Sequence, residues 1–195
     1  MSNHRHFIIH KPLGYLSQFK LEDSRKKKLL GALGDFPDGT MSIGRLDKNS
    51  EGLLLLTTDG KVSYAICSSK VEKEYYAQLD GNITEEALEQ IRNGVEIGIE
   101  GVRYMTKPCE ASLLDPRPSF APRIKKIRDD RHGPTCWVSI VLKEGKFRQV
   151  RKMTAAVGYP TLRLMRVRIG NIHLGDMEAG AVMEVSKLEY QQVKE

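Results

Sequence analysis

Residues 44–60 read GRLDKNSEGLLLLTTDG, and this stretch decides how the rest of the chain can fold. Its first half is polar and rich in turn-forming residues, whereas Leu53 to Leu56 form an uninterrupted apolar run. Such a run, bounded by turn signals, predicts a buried β-strand. A loop held by a buried strand presents a side chain rigidly, as a reactive group requires. Asp47 is the carboxylate that this loop presents.

Two other interpretations of the same motif compete with a reactive carboxylate. Asp47, Asn49, Glu51 and Gly52 imitate the first, third, fifth and sixth positions of a calcium-binding EF-hand loop. The twelfth position of such a loop supplies a bidentate glutamate, but here it is Thr58, so we exclude calcium. Alternatively, Asp47 accepts hydrogen bonds from nearby backbone N–H groups as an ordinary turn residue. The motif by itself does not separate that role from catalysis.

The composition is that of a globular protein. The chain has 195 residues, of which 40% are hydrophobic and 29% charged, enough for one core or for one domain of two lobes. No apolar run approaches the roughly 20 residues that span a bilayer, and no signal-peptide pattern opens the sequence. The chain has three cysteines, an odd number, and they lie far apart in the sequence. Neither the cysteines nor the five histidines have metal-ligand spacing. We therefore expect a cytoplasmic protein without a disulfide framework, a metal or a membrane segment.

Positive charge is concentrated in the last third of the chain. Residues 123–168 contain 13 Lys and Arg against three acidic residues, within a total net charge of +6. Such asymmetry predicts binding to a polyanion. A solvated surface is the alternative, but the arginines alternate with apolar residues on structured segments, which favours nucleic acid. The acidic stretch from Glu72 to Glu100 is expected to face away from that partner.

Hydrophobic periodicity and turn signals predict an ordered mixture of strands and helices. Strands are predicted at 7–9, 41–43, 53–56, 73–79, 137–142 and 161–169, the last with a slip at Leu164 and Met165 that indicates a bulge. Helices are predicted at 24–33, 62–69, 85–93 (with Thr84 as N-cap and Gly94 as stop) and 147–157. Residues 94–114 indicate a β-meander and 115–122 a loop. Because the βαβ alternation is irregular, we expect an α+β fold with a mixed, largely antiparallel sheet flanked by helices and loops.

A second motif, Lys143 to Met153, runs from a strand through a glycine turn into a basic helix. Its apolar members, Phe147, Val150 and the pair Met153-Thr154, are expected to pack inward. Its cations Arg148, Arg151 and Lys152 fall within about one turn of one another. A guanidinium close to Asp47 would hold that carboxylate ionised. For Arg148 and Lys152, phosphate binding alone is the favoured interpretation, and Tyr75 could equally be an aromatic core residue of its strand.

Four ordered segments resemble the motifs of one known family. They are RLD-x-x-S-x-GLLLLT-x-DG from Arg45, EK-x-Y ending at Tyr75, EGK-x-RQVR-x-M from Glu144, and VGYPTLRLMRVRIG from Val157. Together they resemble the RsuA-like branch of the pseudouridine synthases. The resemblance extends over residues 8–174, nearly the whole chain. Ser50 stands where the family commonly has threonine, and Arg148 where it commonly has histidine or asparagine.

The resemblance implies a cofactor-free isomerisation of uridine on the pseudouridine synthase catalytic fold. The family's invariant aspartate corresponds to Asp47, its base-stacking tyrosine to Tyr75, and its carboxylate-pairing arginine to Arg151. No metal is implied. Together with the basic character of these motifs, it leads us to expect RNA contacts from six residues: Lys11, Arg45, Lys73, Lys146, Arg148 and Lys152.

The resemblance also carries expectations about organisation and substrate. We expect residues 1–195 to form a single catalytic domain of one or two lobes, to act as a monomer, and to lack the S4 RNA-binding domain that the family usually adds. Residues 11–19 and 154–158 resemble a subfamily that acts on 23S rRNA. Two alternatives stay open: the same chemistry on 16S rRNA or tRNA, or a non-catalytic RNA-binding factor in ribosome assembly.

Overall fold

The computed structural model describes residues 4–20, 27–68, 71–122, 127 and 130–190. Short 3₁₀ helices occupy Leu30–Ala32 and Asp130–His132. The strands and α-helices of these residues are, in chain order, β1 His6–Lys11, β2 Tyr15–Leu16, β3 Lys28–Leu29, β4 Met41–Ser42, β5 Glu51–Thr57, α1 Gly60–Cys67, β6 Lys73–Asp80, α2 Glu85–Asn93, β7 Glu96–Ile99, β8 Val102–Met105, β9 Glu110–Leu113, β10 Thr135–Leu142, α3 Gln149–Ala156, β11 Thr161–Ile169, β12 Ile172–His173 and β13 Val182–Val185.

The chain divides into two compact units. Unit 1 comprises Met1–Glu72 and Met165–Glu195, and unit 2 comprises Lys73–Leu164. Most strand pairs are antiparallel, but β11 runs parallel to β5, so the α+β class and the mixed sheet predicted from the sequence are confirmed. Among the described residues, none of the helices is long and apolar enough to cross a membrane.

Strand β5 is the centre of unit 1. It pairs antiparallel with β1 and β4, and parallel with β11 through Glu51–Met165 and Gly52–Arg166. All seven residues of β5 are buried, and Leu53 to Leu56 have no exposed surface. A strand covered on both faces needs apolar residues at every position, because successive side chains point to opposite faces. The buried strand predicted from the leucine run is thereby confirmed.

One face of β5 contributes to a hydrophobic cluster of unit 1. Leu54 and Leu56 pack with Phe7, Ile9 and Leu30 in one hydrophobic cluster. Burial of each such side chain stabilises the fold by about 1.5–3 kcal/mol relative to exposure.

Helix α1 follows β5, and the Asp59 carboxylate caps its first turn by accepting hydrogen bonds from the N–H groups of Lys61 at 2.8 Å and Val62 at 3.4 Å. These hydrogen bonds, the first above all, lower the pKa of Asp59.

Unit 2 is built on the antiparallel pair of β6 and β10, which match residue for residue from Lys73–Leu142 to Asp80–Thr135. Ala77 and Leu79 of β6 and Val138 and Ile140 of β10 form one buried face, and α2 covers it with its apolar stripe of Ala87, Leu88 and Ile91. The predicted caps of α2 are confirmed. The Thr84 hydroxyl accepts from the Ala87 N–H at 3.3 Å, and Gly94 ends the helix with φ of 97°.

Two expectations about local structure are wrong. Residues 94–114 are not a meander: β7 pairs with β8, but β9 pairs with β10 instead. Pro108 lacks an N–H for a ladder, and the neighbouring Cys109 N–H donates to the carbonyl of Arg92 at the end of α2, so the chain leaves the hairpin there.

The second wrong expectation is the helix at 24–33. Residues 24–26 lie outside the described residues, but Lys28–Leu29 are extended as β3 and pair parallel with β2. Only the single 3₁₀ turn Leu30–Ala32 follows. Gly31 and Gly34 disfavour a longer helix, because glycine loses more conformational entropy than other residues on folding.

Candidate active site

Asp47 lies in a tight turn that directly precedes β5. The Ser50 N–H donates to the Asp47 carbonyl at 2.9 Å, and the Gly14 N–H donates to the Lys48 carbonyl at 2.8 Å. Arg45, Lys48 and Asn49 are exposed, whereas Asp47 is half-buried. The turn therefore leaves the carboxylate accessible while both sides of its backbone are tied to the protein.

Ser17 fixes the residue just before the aspartate. The buried Ser17 hydroxyl accepts a hydrogen bond from the Leu46 N–H at 3.0 Å and donates one to the Leu46 carbonyl at 2.7 Å. The Leu46 side chain is itself buried. One hydroxyl thus holds both backbone polar groups of the residue that positions Asp47, a contact for which the sequence contains no recognisable signal.

Arg166 braces the loop from the parallel strand β11. Its Nε donates to the Leu53 carbonyl at 2.8 Å, and its Nη1 approaches the Arg45 carbonyl at 3.5 Å. The side chain is 4% exposed, so these charge-assisted bonds lie in a region shielded from water. Arg166 was counted only as part of the basic segment in the sequence, because burial of an arginine depends on contacts distant along the chain.

Lys11 is buried rather than displayed. Its side chain has no exposed surface, and its Nζ donates to the carbonyls of Pro12 at 3.0 Å and Tyr15 at 2.9 Å. The pKa of Lys11 is lowered to about 8, chiefly by burial and also by the nearby Arg166, while Glu51 and Asp47 act in the opposite direction. The expected contact between Lys11 and RNA at the surface is therefore corrected: its ammonium is committed to the interior of unit 1.

Unit 1 thus gathers a mixed-charge cluster around the aspartate loop. Lys11 interacts electrostatically with the buried Glu51 and Arg166 and with the half-buried Asp47. Within the described residues, no three His, Cys, Asp or Glu side chains are arranged to hold a metal ion. The loop therefore presents a half-buried carboxylate that interacts with the interior ammonium of Lys11.

Two of the candidate residues lie on β6 of unit 2. Lys73 opens the strand opposite Leu142, and Tyr75 pairs with Ile140. The Tyr75 ring packs against the hydrophobic cluster of unit 2 but is only partly buried. A ring that is fixed on one side and accessible on the other can stack on a planar ligand.

Arg151 lies on α3 and is oriented by two threonines. Its Nη1 donates to the Thr161 carbonyl at 3.1 Å. The Thr154 hydroxyl lies 3.3 Å from the Arg151 carbonyl and 2.7 Å from the Thr161 hydroxyl. Thr154 has no exposed surface, so this contact links α3 to the start of β11 inside unit 2.

The turn before α3 is held by a network that the sequence did not reveal. The Glu144 carboxylate accepts hydrogen bonds from the Tyr104 hydroxyl at 2.5 Å, the Lys107 N–H at 2.9 Å and the Gln149 side chain at 2.5 Å. The buried Gln149 also accepts from the Lys146 N–H at 2.9 Å. Glu144 raises the pKa of Tyr104 through this hydrogen bond. The one available signal was the glutamine itself, a polar residue among the apolar positions of the helix.

Phe147 is a further correction. Val150, Met153 and Thr154 are buried as predicted, but Phe147 is 62% exposed. It belongs to the turn and precedes the N-cap residue Arg148, whose left-handed backbone (φ 54°) redirects the chain before α3 begins at Gln149. Gln149 takes the inward position instead.

The remaining candidate residues are distributed over both units. Asp47 and Arg45 belong to unit 1, together with the buried Lys11. Tyr75 and Lys73 on β6, Arg151 and Lys152 on α3, and Lys146 and Arg148 in the preceding turn belong to unit 2. Lys152 Nζ donates to the Gly98 carbonyl at 2.6 Å, and Lys146 is exposed.

Comparison with known proteins gives consistent results. Residues 5–156 match the family described as RNA pseudouridylate synthase. A "Ribosomal large subunit pseudouridine synthase E" from Xanthomonas axonopodis pv. citri is 41% identical over 169 residues, covering 86% of this chain and 86% of that protein. One of the same name from Vibrio parahaemolyticus is 39% identical over 189 residues, covering 95% of this chain and 75% of the relative.

A solved structure described as a pseudouridylate synthase superimposes with a TM-score of 0.74 at 27% identity, covering 95% of this chain and 71% of that one. The resemblance to this family and to its E subfamily, inferred from the motifs, is confirmed.

Proposed function

The chain belongs to the RNA pseudouridylate synthase family, and we propose that it converts a uridine of 23S rRNA to pseudouridine with Asp47 as the catalytic carboxylate. We choose 23S rRNA as the substrate because two ribosomal large subunit pseudouridine synthases are similar to 86% and 95% of this chain. Modification of 16S rRNA or of tRNA is the alternative, and loss of a 23S pseudouridine in the test below would exclude both.

The reaction is an isomerisation and therefore needs no external reactant. The N1–C1′ bond of uridine breaks, the freed uracil rotates, and a C5–C1′ bond forms while the hydrogen at C5 leaves as a proton and N1 gains one. Breaking the glycosidic bond places positive charge on the sugar, so a single well-placed carboxylate can stabilise or trap it. A glycosidase needs a second carboxyl group to protonate a departing alcohol. Here the uracil anion is delocalised and stays bound, which makes one aspartate sufficient.

The structure of unit 1 supports this role for Asp47. A reacting carboxylate must be ionised, accessible and held in place. The half-buried Asp47 interacts with the interior cation Lys11, and its neighbour Leu46 is fixed by Ser17. From this position Asp47 acts on the sugar, either by attacking C1′ or by removing a sugar proton.

Tyr75 and Arg151 complete the proposed set of catalytic residues. The target base must leave its stack to be reached, at a cost of about a few kcal/mol. Stacking on the Tyr75 ring returns roughly 1–3 kcal/mol of that cost. Arg151, oriented by Thr161, supplies a planar guanidinium whose hydrogen-bonding geometry a lysine cannot reproduce. Arg45, Lys73, Lys146, Arg148 and Lys152 are proposed as RNA contacts, and Lys11 is not.

Mapping of pseudouridines in 23S and 16S rRNA from cells with and without the gene tests the proposed substrate. We expect one 23S uridine to lose its modification in the deletion strain and to regain it when the wild-type gene is restored. Unchanged 23S and 16S maps, or a loss confined to 16S rRNA, would contradict the proposal.

A further inference from the structure

Phe147 is a largely exposed aromatic side chain in the turn before α3. It is 62% exposed, although Val150 and Met153 of the following helix are buried. A single exposed hydrophobic residue needs no explanation by itself. The residues around Phe147 indicate that it contacts a ligand.

Lys146 and Arg148 flank Phe147 in sequence, and Lys152 lies beside its ring in space. Lys152 Nζ lies 5.1 Å from the centroid of the Phe147 ring, and Lys146 Nζ lies 4.7 Å from that of Tyr104. Arg148 follows Phe147 directly, and the first turn of α3 contains no acidic side chain. The positive end of the helix dipole favours anions at this position.

The same turn is rigid before any ligand arrives. Glu144 and Gln149 hold the turn through four hydrogen bonds. Three of these bonds go to the carboxylate of Glu144, the one acidic residue in the Lys143–Met153 motif. Lys152 is fixed by its bond to the Gly98 carbonyl. A preorganised aromatic ring with fixed cations binds with a smaller loss of conformational entropy than a mobile one.

We propose that Phe147 is a base-stacking residue: an unpaired nucleotide of the RNA substrate stacks on its ring, and Lys146 and Lys152 contact the adjoining phosphates. Aromatic side chains beside cations are the elements with which proteins bind single-stranded nucleic acid. The inference rests on the proposed function for the presence of RNA. It adds a contact that lies outside the proposed catalytic residues.

Two oligomers of about twelve units separate base stacking from phosphate binding, one of uridylate and one of abasic ribose phosphate with the same charge. Replacement of Phe147 by leucine should weaken binding of the uridylate by about 5- to 150-fold, the equivalent of roughly 1–3 kcal/mol, and leave the abasic oligomer unaffected. Phe147→Tyr should bind both oligomers as the wild-type chain does. Tyr64→Leu is the matched control, because Tyr64 is 83% exposed on α1 and belongs to unit 1.

Three results would overturn the inference: wild-type affinity of Phe147→Leu for the uridylate, equal losses on both oligomers, or no binding of the uridylate by the wild-type chain. A tyrosine variant as weak as the leucine variant would also contradict it, because tyrosine keeps the stacking ring. The outcome is independent of the test of function. Isomerisation of 23S rRNA by an enzyme that tolerates Phe147→Leu would refute the stacking role alone, whereas absence of isomerisation would refute the proposed function.

Discussion

Lys11 shows how strongly a residue's role depends on its burial. In the sequence it is a lysine beside a proline turn, typical of a surface phosphate contact, but in unit 1 its ammonium donates to the Pro12 and Tyr15 carbonyls in the interior. That ammonium interacts electrostatically with Asp47. Its contribution to the site is therefore electrostatic and structural, and it can be measured through its ionisation.

Stability should depend on pH through Lys11. Its pKa is about 8 in the folded chain against 10.5 for an unperturbed lysine, so between these values the unfolded chain holds a proton that the folded chain has lost. The free energy of unfolding therefore rises with pH across this window, by on the order of 3 kcal/mol from this group, and the contribution is constant below it. We expect Lys11→Met to lack this rise.

Denaturant titrations of the wild-type chain and Lys11→Met at intervals from pH 7 to pH 10 measure the effect as a difference, which removes the titration of other groups. The free energy of unfolding of the wild-type chain minus that of Lys11→Met should increase with pH. Parallel curves for the two proteins would show that Lys11 keeps an ordinary pKa.

At the scale of elements, the parallel contact of β5 with β11 leaves no room for a side chain at Gly52. This residue has φ of 106°, and a Cβ placed on it would lie 2.3 Å from the Arg166 carbonyl oxygen. Gly52→Ala must separate β11 from β5 and adopt a strained backbone. We expect a loss of more than about 3 kcal/mol in the free energy of unfolding, or failure to fold.

Gly60→Ala is the control for that variant. Gly60 begins α1, and a Cβ placed on it meets no atom within 4 Å. Alanine favours a helix over glycine by up to about 1 kcal/mol, so this variant should be as stable as the wild type or slightly more so. Similar denaturation midpoints for the two alanine variants would contradict the proposed close approach of β11.

Elements were predictable from the sequence where their signals are local. The leucine run of β5 and the Thr84 and Gly94 caps of α2 depend on neighbours within a few residues, and both predictions are confirmed. The burial of Arg166 depends instead on a contact with the distant Leu53 carbonyl, and Gln149 occupies the buried position that was expected for Phe147. Sequence periodicity does not report such contacts, so the inward position predicted for Phe147 is wrong and the burial of Arg166 was not predicted.

At the scale of the whole molecule, the order of the motifs was more informative than any single one. The aspartate loop alone was compatible with a simple turn, but four motifs in a fixed order identified the family, which residues 5–156 match. The division into two compact units was only anticipated as a possibility of two lobes. It falls between Leu164 and Met165, where the alternation of apolar and basic residues slips. Because the two halves of β11 belong to different units, a single alternation of apolar and basic residues is not expected along the whole strand.

Asp47 is proposed to perform the isomerisation. The hydrogen at C5 of the target uridine leaves when the C5–C1′ bond forms, so release of tritium from a 23S rRNA transcript labelled at C5 measures the reaction directly. Under single-turnover conditions, Asp47→Asn should lower the rate of release by more than about 10³-fold, because asparagine keeps the shape of the side chain but not its negative charge. Its affinity for the transcript should remain that of the wild-type enzyme. Tritium release by Asp47→Asn at the wild-type rate would contradict the account.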